Sequence, residues 1–242
     1  MRRILLLIAL LSCQLMASVQ AAIIMVGTRV IYDESSREVT LRISNTGDSP
    51  VVIQSWLDTG DTRSSPDTSD APFAVVPSVT KVLPKQGQSL RMVFTGDAGE
   101  LPTDMESVFF LNVLEIPSIR SEQVDQNKLV LLTRHRVKVF YRPSGIAEQP
   151  SRALGRLSAT RSRIGSNQTQ ILVRNPTPYH VSFRRAEVVA GEQSLDLGRG
   201  GMIEPFSSER WVLEGDVTGE PAELRMMVID DHGGNRVQSV SL

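Results

Sequence analysis

The chain has 242 residues, 40% hydrophobic and 22% charged, with 26 Lys and Arg against 27 Asp and Glu. A net charge of -1 excludes a polycationic nucleic-acid binder, and the apolar content excludes a disordered or collagen-like chain. Three histidines and one cysteine leave little material for a metal centre, while the length suits two domains of roughly 100 residues each.

The chain opens on a basic Met1-Arg2-Arg3, an unbroken apolar run from Ile4 to Leu11, and small residues ending in Val19-Gln20-Ala21-Ala22. The run is shorter than the roughly 20 residues a bilayer requires. It predicts an export leader over residues 1–21, cut after Ala21, and no stable membrane insertion. Cys13 lies inside that leader; Leu10-Leu11-Ser12-Cys13 loosely resembles a lipoprotein box, but the small-residue site at Ala21 is the better one. Without the leader, 24 basic residues face 27 acidic ones and no thiol remains. Stability in an oxidising compartment must then come from packed cores rather than disulfides.

Period-two alternation follows, with no sustained helical period. Val39, Leu41 and Ile43 alternate with polar neighbours, as do Leu90, Met92 and Phe94 with Arg91 and Val93. Asn45-Thr46-Gly47-Asp48, Pro84-Lys85-Gln86-Gly87 and Gly96-Asp97 are turn signals. Val51–Leu57, Ser107–Ile116 and Leu129–Tyr141 are further strand candidates, and Asp58–Asp70 reads as a polar, mobile loop. Pro143-Ser144-Gly145 and the polar stretch Ala147–Arg152 mark a domain boundary. Beyond it, Thr169–Arg174, Val181–Val189, Arg210–Glu214, Leu224–Ile229 and Arg236–Leu242 form a second set, with Asp230-Asp231-His232-Gly233-Gly234 as a hairpin turn. The prediction is all-β: two β-sandwiches, Ala22–Pro143 and Ser144–Leu242.

The residues present give no catalytic set. His135 sits in a basic strand, His180 follows Pro178-Tyr179, His232 occupies a turn, and no nucleophile elbow, metal-spaced His pair or phosphate loop accompanies them. No cofactor is expected, and aromatic residues at 5% are too few for a sugar-binding platform. Asn167-Gln168-Thr169 matches a glycosylation sequon, a pattern short enough to arise by chance.

Two basic residues stand in otherwise apolar strands: Arg29 in Thr28–Tyr32 and Lys138 in Val137–Tyr141. Burying such a cation is costly unless an anion meets it. Either each snorkels to water or pairs locally, or together they hold a ligand's carboxylate near the hinge. Leu129-Val130-Leu131-Leu132 is either core or a strand offered at a sheet edge to another protein.

Four blocks in order resemble the PapD-like periplasmic chaperones of the chaperone–usher pilus pathway. The most specific runs from Leu101 to Pro117, departing from the family pattern at Met105. The others are Val137–Pro143, Asn175-Pro176-Thr177-Pro178-Tyr179 and Ile229-Asp230-Asp231-His232-Gly233. The resemblance implies two immunoglobulin-like sandwiches in an L or boomerang arrangement, no enzymatic activity, and residence in the periplasm. It implies binding of pilus subunits by donor-strand complementation and their delivery to an outer-membrane usher for fimbrium biogenesis. By the same resemblance, Arg29 and Lys138 anchor the subunit's C-terminal carboxylate, and Leu129, Leu131 and Thr133 are donor-strand positions. A larger apolar residue is common where Thr133 stands. Glu106, Arg142 and Asp231 match an ion-pair triad between the domains. The loop Ser118–Lys128 is somewhat long, but without a cysteine pair the chain sits nearer the short-loop group. A free chain capping its own edge as a homodimer is left open.

Overall fold

The structure, a computed structural model, describes residues 23–97, 99–118, 130–164, 167–198, 200–215 and 219–242. The leader residues, Cys13, Leu129 and nearly all of the Ser118–Lys128 loop lie outside these.

The first sandwich pairs two sheets. One has strand order β1-β3-β7-β5, formed by Ile23–Met25 (β1), Val39–Asn45 (β3), Gly87–Phe94 (β7) and Phe73–Val76 (β5). The other has order β2-β9-β8-β4-β6, formed by Arg29–Asp33 (β2), Thr133–Arg142 (β9), Ser107–Pro117 (β8), Val51–Asp58 (β4) and Val79–Val82 (β6). The chain crosses between the sheets at Gly27, whose φ of 102° suits a residue without a Cβ. As a result β1 and β2 extend different sheets, and β2 joins β9 in parallel while β1 pairs with β3, and β8 with β9, antiparallel.

The alternating residues meet between the sheets: Ile43, Ile53, Leu90, Met92, Leu111 and Val139 are buried in one cluster. Phe73 packs edge-on against Tyr32, Phe94 and Phe109 at centroid distances of 5.0–5.2 Å. A second, separate cluster includes Ile171, Val188, Leu224 and Met226. It lies between the sheet of Ser158–Ile164 (β10), Gln168–Arg174 (β11) and Ser208–Glu214 (β15) and a five-stranded sheet. The latter contains Val181–Ala190 (β12), Gln193–Asp196 (β13), Gly201–Ile203 (β14), Ala222–Ile229 (β16) and Asn235–Ser241 (β17). The polar stretch between the sandwiches carries a single short helix, Pro150–Ala153 (α1), with Pro at its first turn, where a missing N–H costs nothing. At Gly145 a Cβ would lie 2.4 Å from the Thr103 carbonyl, so the connection hugs the loop before β8. No described helix is long and apolar enough to cross a membrane.

Two sequence expectations need correction. The strand predicted over Leu129–Tyr141 begins, among the described residues, only at Thr133. Its register pairs Thr133 with Glu115, so Leu131 would stand opposite Pro117, which has no N–H to donate. Val130, Leu131 and Leu132 are instead outside the ladder and exposed. The Asp58–Asp70 loop is tied down rather than free: Asp58 and Ser64 are buried, Trp56 Nε1 donates to Ser64 Oγ at 3.0 Å, and Thr59 N donates to Asp70 at 3.0 Å.

Candidate functional site

Arg29 and Lys138 are register partners across the parallel β2–β9 pair. On β2, Val30 and Tyr32 point into the core, which leaves Arg29 and Ile31 on the outer face; on β9, Val139 and Tyr141 point inward and Lys138 and Phe140 outward. That outer face would be open to water in the first sandwich alone. The second sandwich covers it: Arg29 Nη1 donates to the Ile229 carbonyl at 2.9 Å and Lys138 Nζ donates to Ser182 Oγ at 3.3 Å. Arg29 also stacks over Phe140, 5.4 Å from the ring centroid, and its Nε is buried without a hydrogen-bond partner.

Among the described residues, neither cation has a carboxylate within 4 Å. Burial lowers the pKa of Arg29, against the pull of Asp231, Glu106 and Asp230. Burial also lowers that of Lys138, and the neighbouring Arg29 charge adds to the effect. Two desolvated cations side by side disfavour one another's charge, and an anion between them would relieve that cost. Arg29 lines a cleft of about 270 Å³ between the sandwiches, together with Phe140, Arg142, His180, Ser182 and Asp231 among others.

Arg142, four residues further along β9, has the opposite circumstances. It donates to Glu106 Oε1 at 2.9 Å and to Asp231 Oδ2 at 3.0 Å, and lies 4.9 Å from the centroid of Tyr179. Burial opposes its charge, but the hydrogen bonds and charges of Asp231 and Glu106 outweigh that and raise its pKa. Glu106 is itself a cross-domain node. Its Oε2 accepts the His180 N–H at 2.9 Å and lies 3.1 Å from His180 Nδ1, and its own N–H donates to the Pro178 carbonyl at 2.8 Å. The geometry thus brings Glu106, Arg142 and Asp231 into one cluster and His180 with them.

Of the residues expected to be donor positions, Leu129 lies outside the described residues, Leu131 precedes β9 and Thr133 opens it. From Lys138 to Tyr141, β9 is flanked by β2 on one side and β8 on the other. From Thr133 to Val137 it has β8 alone, so among the described residues its second edge is unpaired. Leu131 is 69% exposed, and Thr133 is exposed too. Thr133 shares the strand parity of the core residues Val137 and Val139.

The three histidines assemble no catalytic set. His180 serves Glu106, His135 Nε2 lies 4.0 Å from the Glu115 carboxylate, and His232 is in the β16–β17 turn. Among the described residues no group of three or more His, Cys, Asp or Glu is placed to hold a metal ion. Sequence reasoning missed Ser182 and the Ile229 carbonyl as partners of the cations. Ser182 lies three residues beyond the Asn175–Tyr179 block, and Ile229 opens the Ile229–Gly233 block, but neither block pointed to them as partners of the cations.

The description "Pili and flagellar-assembly chaperone, PapD N-terminal domain" matches residues 22–147, and "Pili assembly chaperone PapD, C-terminal domain" matches residues 152–239. Chaperone protein FimB/FhaD of Bordetella pertussis is 38% identical over 234 residues, covering 94% of this chain and 92% of that protein. The probable fimbrial chaperone YadV of Escherichia coli K12 is 38% identical, covering 88% and 87%. The crystal structure of YadV chaperone superposes with a TM-score of 0.76 at 35% identity, over 92% of this chain and all of that one. The SafB chaperone in complex with the SafA pilin of Salmonella enterica gives 0.71 at 25% identity, over 93% and 99%. Two β-sandwiches in this order, matched along nearly all of their length, place the chain in the PapD family of pilus-assembly chaperones, which are not enzymes.

Proposed function

We propose that this protein works in the periplasm, reached through the leader of residues 1–21, where it holds pilus subunits by lending them a β-strand and passes them to an outer-membrane usher. The observation that carries this reading is the coincidence of two features on β9. An anion-seeking cation pair at Lys138 adjoins an unpaired edge that starts at Val137 and runs back toward Leu131.

On this reading the incoming strand has one favoured direction. The ladder place beside Thr133–Val137 is the backward continuation of β2, which starts at Arg29 opposite Lys138. A strand whose C-terminal carboxylate rests between Arg29 and Lys138 must run parallel to β9. At about 3.3 Å per residue, its body reaches Leu131 about 23 Å from the clamp. Leu129, Leu131 and Thr133 then enter the subunit's open groove, each large apolar side chain contributing about 1.5–3 kcal/mol before ordering costs. The clamp fixes register, because a slip of one residue would turn the opposite set of side chains inward. Glu106, Arg142 and Asp231 hold the angle between Ala22–Pro143 and Ser144–Leu242 at which Arg29 meets Ile229 and Lys138 meets Ser182. A free chain has the same edge and the exposed Val130–Leu132 available to a second copy, a self-capped homodimer that a subunit must displace.

The test is co-expression with a pilin and recovery of the complex from periplasm. Wild type co-purifies with the pilin, and Arg29→Ala and Lys138→Ala remain folded and do not. Undiminished complexes from both variants would remove the carboxylate clamp.

A further inference from the structure

We infer that the loop after β4 is a clamp that pre-organises the strand-lending half of β9, with Arg134 and Arg136 as its positioning residues. This rests on the strand-lending reading above. It concerns a different face of the strand from the one the subunit meets.

Among the described residues, Thr133–Val137 is the less firmly held part of β9, since it has one ladder partner where Lys138–Tyr141 has two. Its outward side chains are Arg134 and Arg136, and both are captured by the loop. The Arg134 guanidinium donates to the carbonyls of Ser64, at 3.1 Å, and Thr62, and sits 5.8 Å from the Trp56 ring centroid. Arg136 pairs with Asp58 and stacks over Phe110 at 4.1 Å. Asp58 is 1% exposed, and both of its oxygens are fully subscribed. Oδ1 takes Gly60 N–H and Arg136; Oδ2 takes Ser64 Oγ at 2.7 Å and Asn112 Nδ2 at 2.6 Å. Asp58 thereby joins the loop, the neighbouring strand β8 and β9 through one carboxylate.

The placement separates this device from an ordinary buried ion pair. The two β9 residues it grips are the outward-facing pair of the half that, among the described residues, lacks a second ladder, and it stops two residues before β2 takes over at Lys138. Clamp and ladder divide the strand between them without overlap. The inward face, where Thr133 stands, and the open edge stay untouched. A strand already extended when a subunit arrives loses less conformational freedom on pairing, and that gain appears in the association step.

The experiment compares Arg134→Met and the double variant Arg134→Met/Arg136→Met with wild type. Arg134→Met keeps the apolar stem on Trp56 and leaves Asp58 with all its donors, so the fold is preserved. Hydrogen exchange is read amide by amide along β9. Association is followed with a synthetic peptide of a pilin's C-terminal strand carrying a free carboxylate. The expected result is at least ten-fold faster exchange at residues 133–137, with residues 138–142 and the second sandwich unchanged. Peptide association slows at least ten-fold, while dissociation changes less than two-fold. Arg134→Lys, which still reaches one carbonyl, restores part of both. Wild-type exchange at 133–137, or unchanged association despite faster exchange, overturns the clamp. Leu131→Asp separates the two ideas. Loss of binding there with normal association in the arginine variants sinks the clamp alone, and full binding by Leu131→Asp removes the strand-lending reading on which it stands.

Discussion

Arg29 and Lys138 face each other across parallel strands of the first sandwich, yet the atoms they touch belong to the second: the Ile229 carbonyl and Ser182 Oγ. The pair is therefore half-buried only because two sandwiches meet. Both hydrogen bonds are to neutral acceptors.

Lys138→Met removes a desolvated cation that has no carboxylate within 4 Å among the described residues. Its expected thermal midpoint equals or exceeds that of wild type, by up to about 2–4 °C, the equivalent of about 1 kcal/mol in a chain of this size. Pilin capture is lost in the same variant. Calorimetry beside a pull-down checks both halves, and a midpoint well below wild type would show that the lysine is a stabilising structural residue.

The free Lys138 has a pKa below the ordinary 10.5, chiefly through burial, and a bound carboxylate pulls it back up. Binding therefore takes up a proton once the free lysine has begun to titrate, so affinity falls as pH rises through the free-state value. The decline should begin on the acid side of 10.5. Lys138→Arg should bind without it, since a guanidinium stays charged there. Peptide affinity measured as a function of pH distinguishes the two.

The two ion pairs of Arg142 are expected to differ. Glu106 is almost wholly buried, so Arg142→Ala leaves an unpaired interior carboxylate and costs about 3 kcal/mol or more. Asp231 is about a third exposed, and Asp231→Asn costs less than about 1 kcal/mol. Denaturant unfolding ranks them. Small-angle scattering should show a wider spread of interdomain angles for Arg142→Ala.

Asp58 gives a pH-dependent stability. Burial disfavours its charge, but donors from Ser64, Asn112, Gly60 and Arg136 prevail and its pKa lies below 3.8. A carboxyl depressed in the folded state stabilises above its unfolded pKa, and the contribution disappears as pH falls through the folded value. Stability of the first sandwich should therefore drop below about pH 4. Asp58→Asn should flatten that slope, which urea unfolding at a series of acidic pH values reads directly.

Thr133 is exposed, so enlarging it does not disturb the core. Thr133→Leu should tighten pilin binding about ten-fold by filling groove volume that threonine leaves empty. Competition between the two forms for one pilin measures it, and equal affinities would mean that Thr133 does not enter the groove.

Much of this was legible along the chain. The alternations at Val39–Ile43 and Leu90–Phe94 became β3 and β7 because a two-residue period is a local property of the sequence. The motif blocks carried the family for the same reason. The short strands β1, β5, β6, β10, β13 and β14 were missed, being too brief or too polar to show a period. The loop after β4 was misread because its polar composition says nothing of the buried Asp58 that gathers it.

By itself the sequence determined the two all-β sandwiches, the strand faces and the odd placement of Arg29 and Lys138, all of which follow from residue type and spacing. Tertiary structure alone decided that those cations adjoin, that the second sandwich strips their water, and that, among the described residues, β9 has no second neighbour before Lys138. Desolvation and edge exposure depend on what packs beside a residue in space, and no local pattern encodes that.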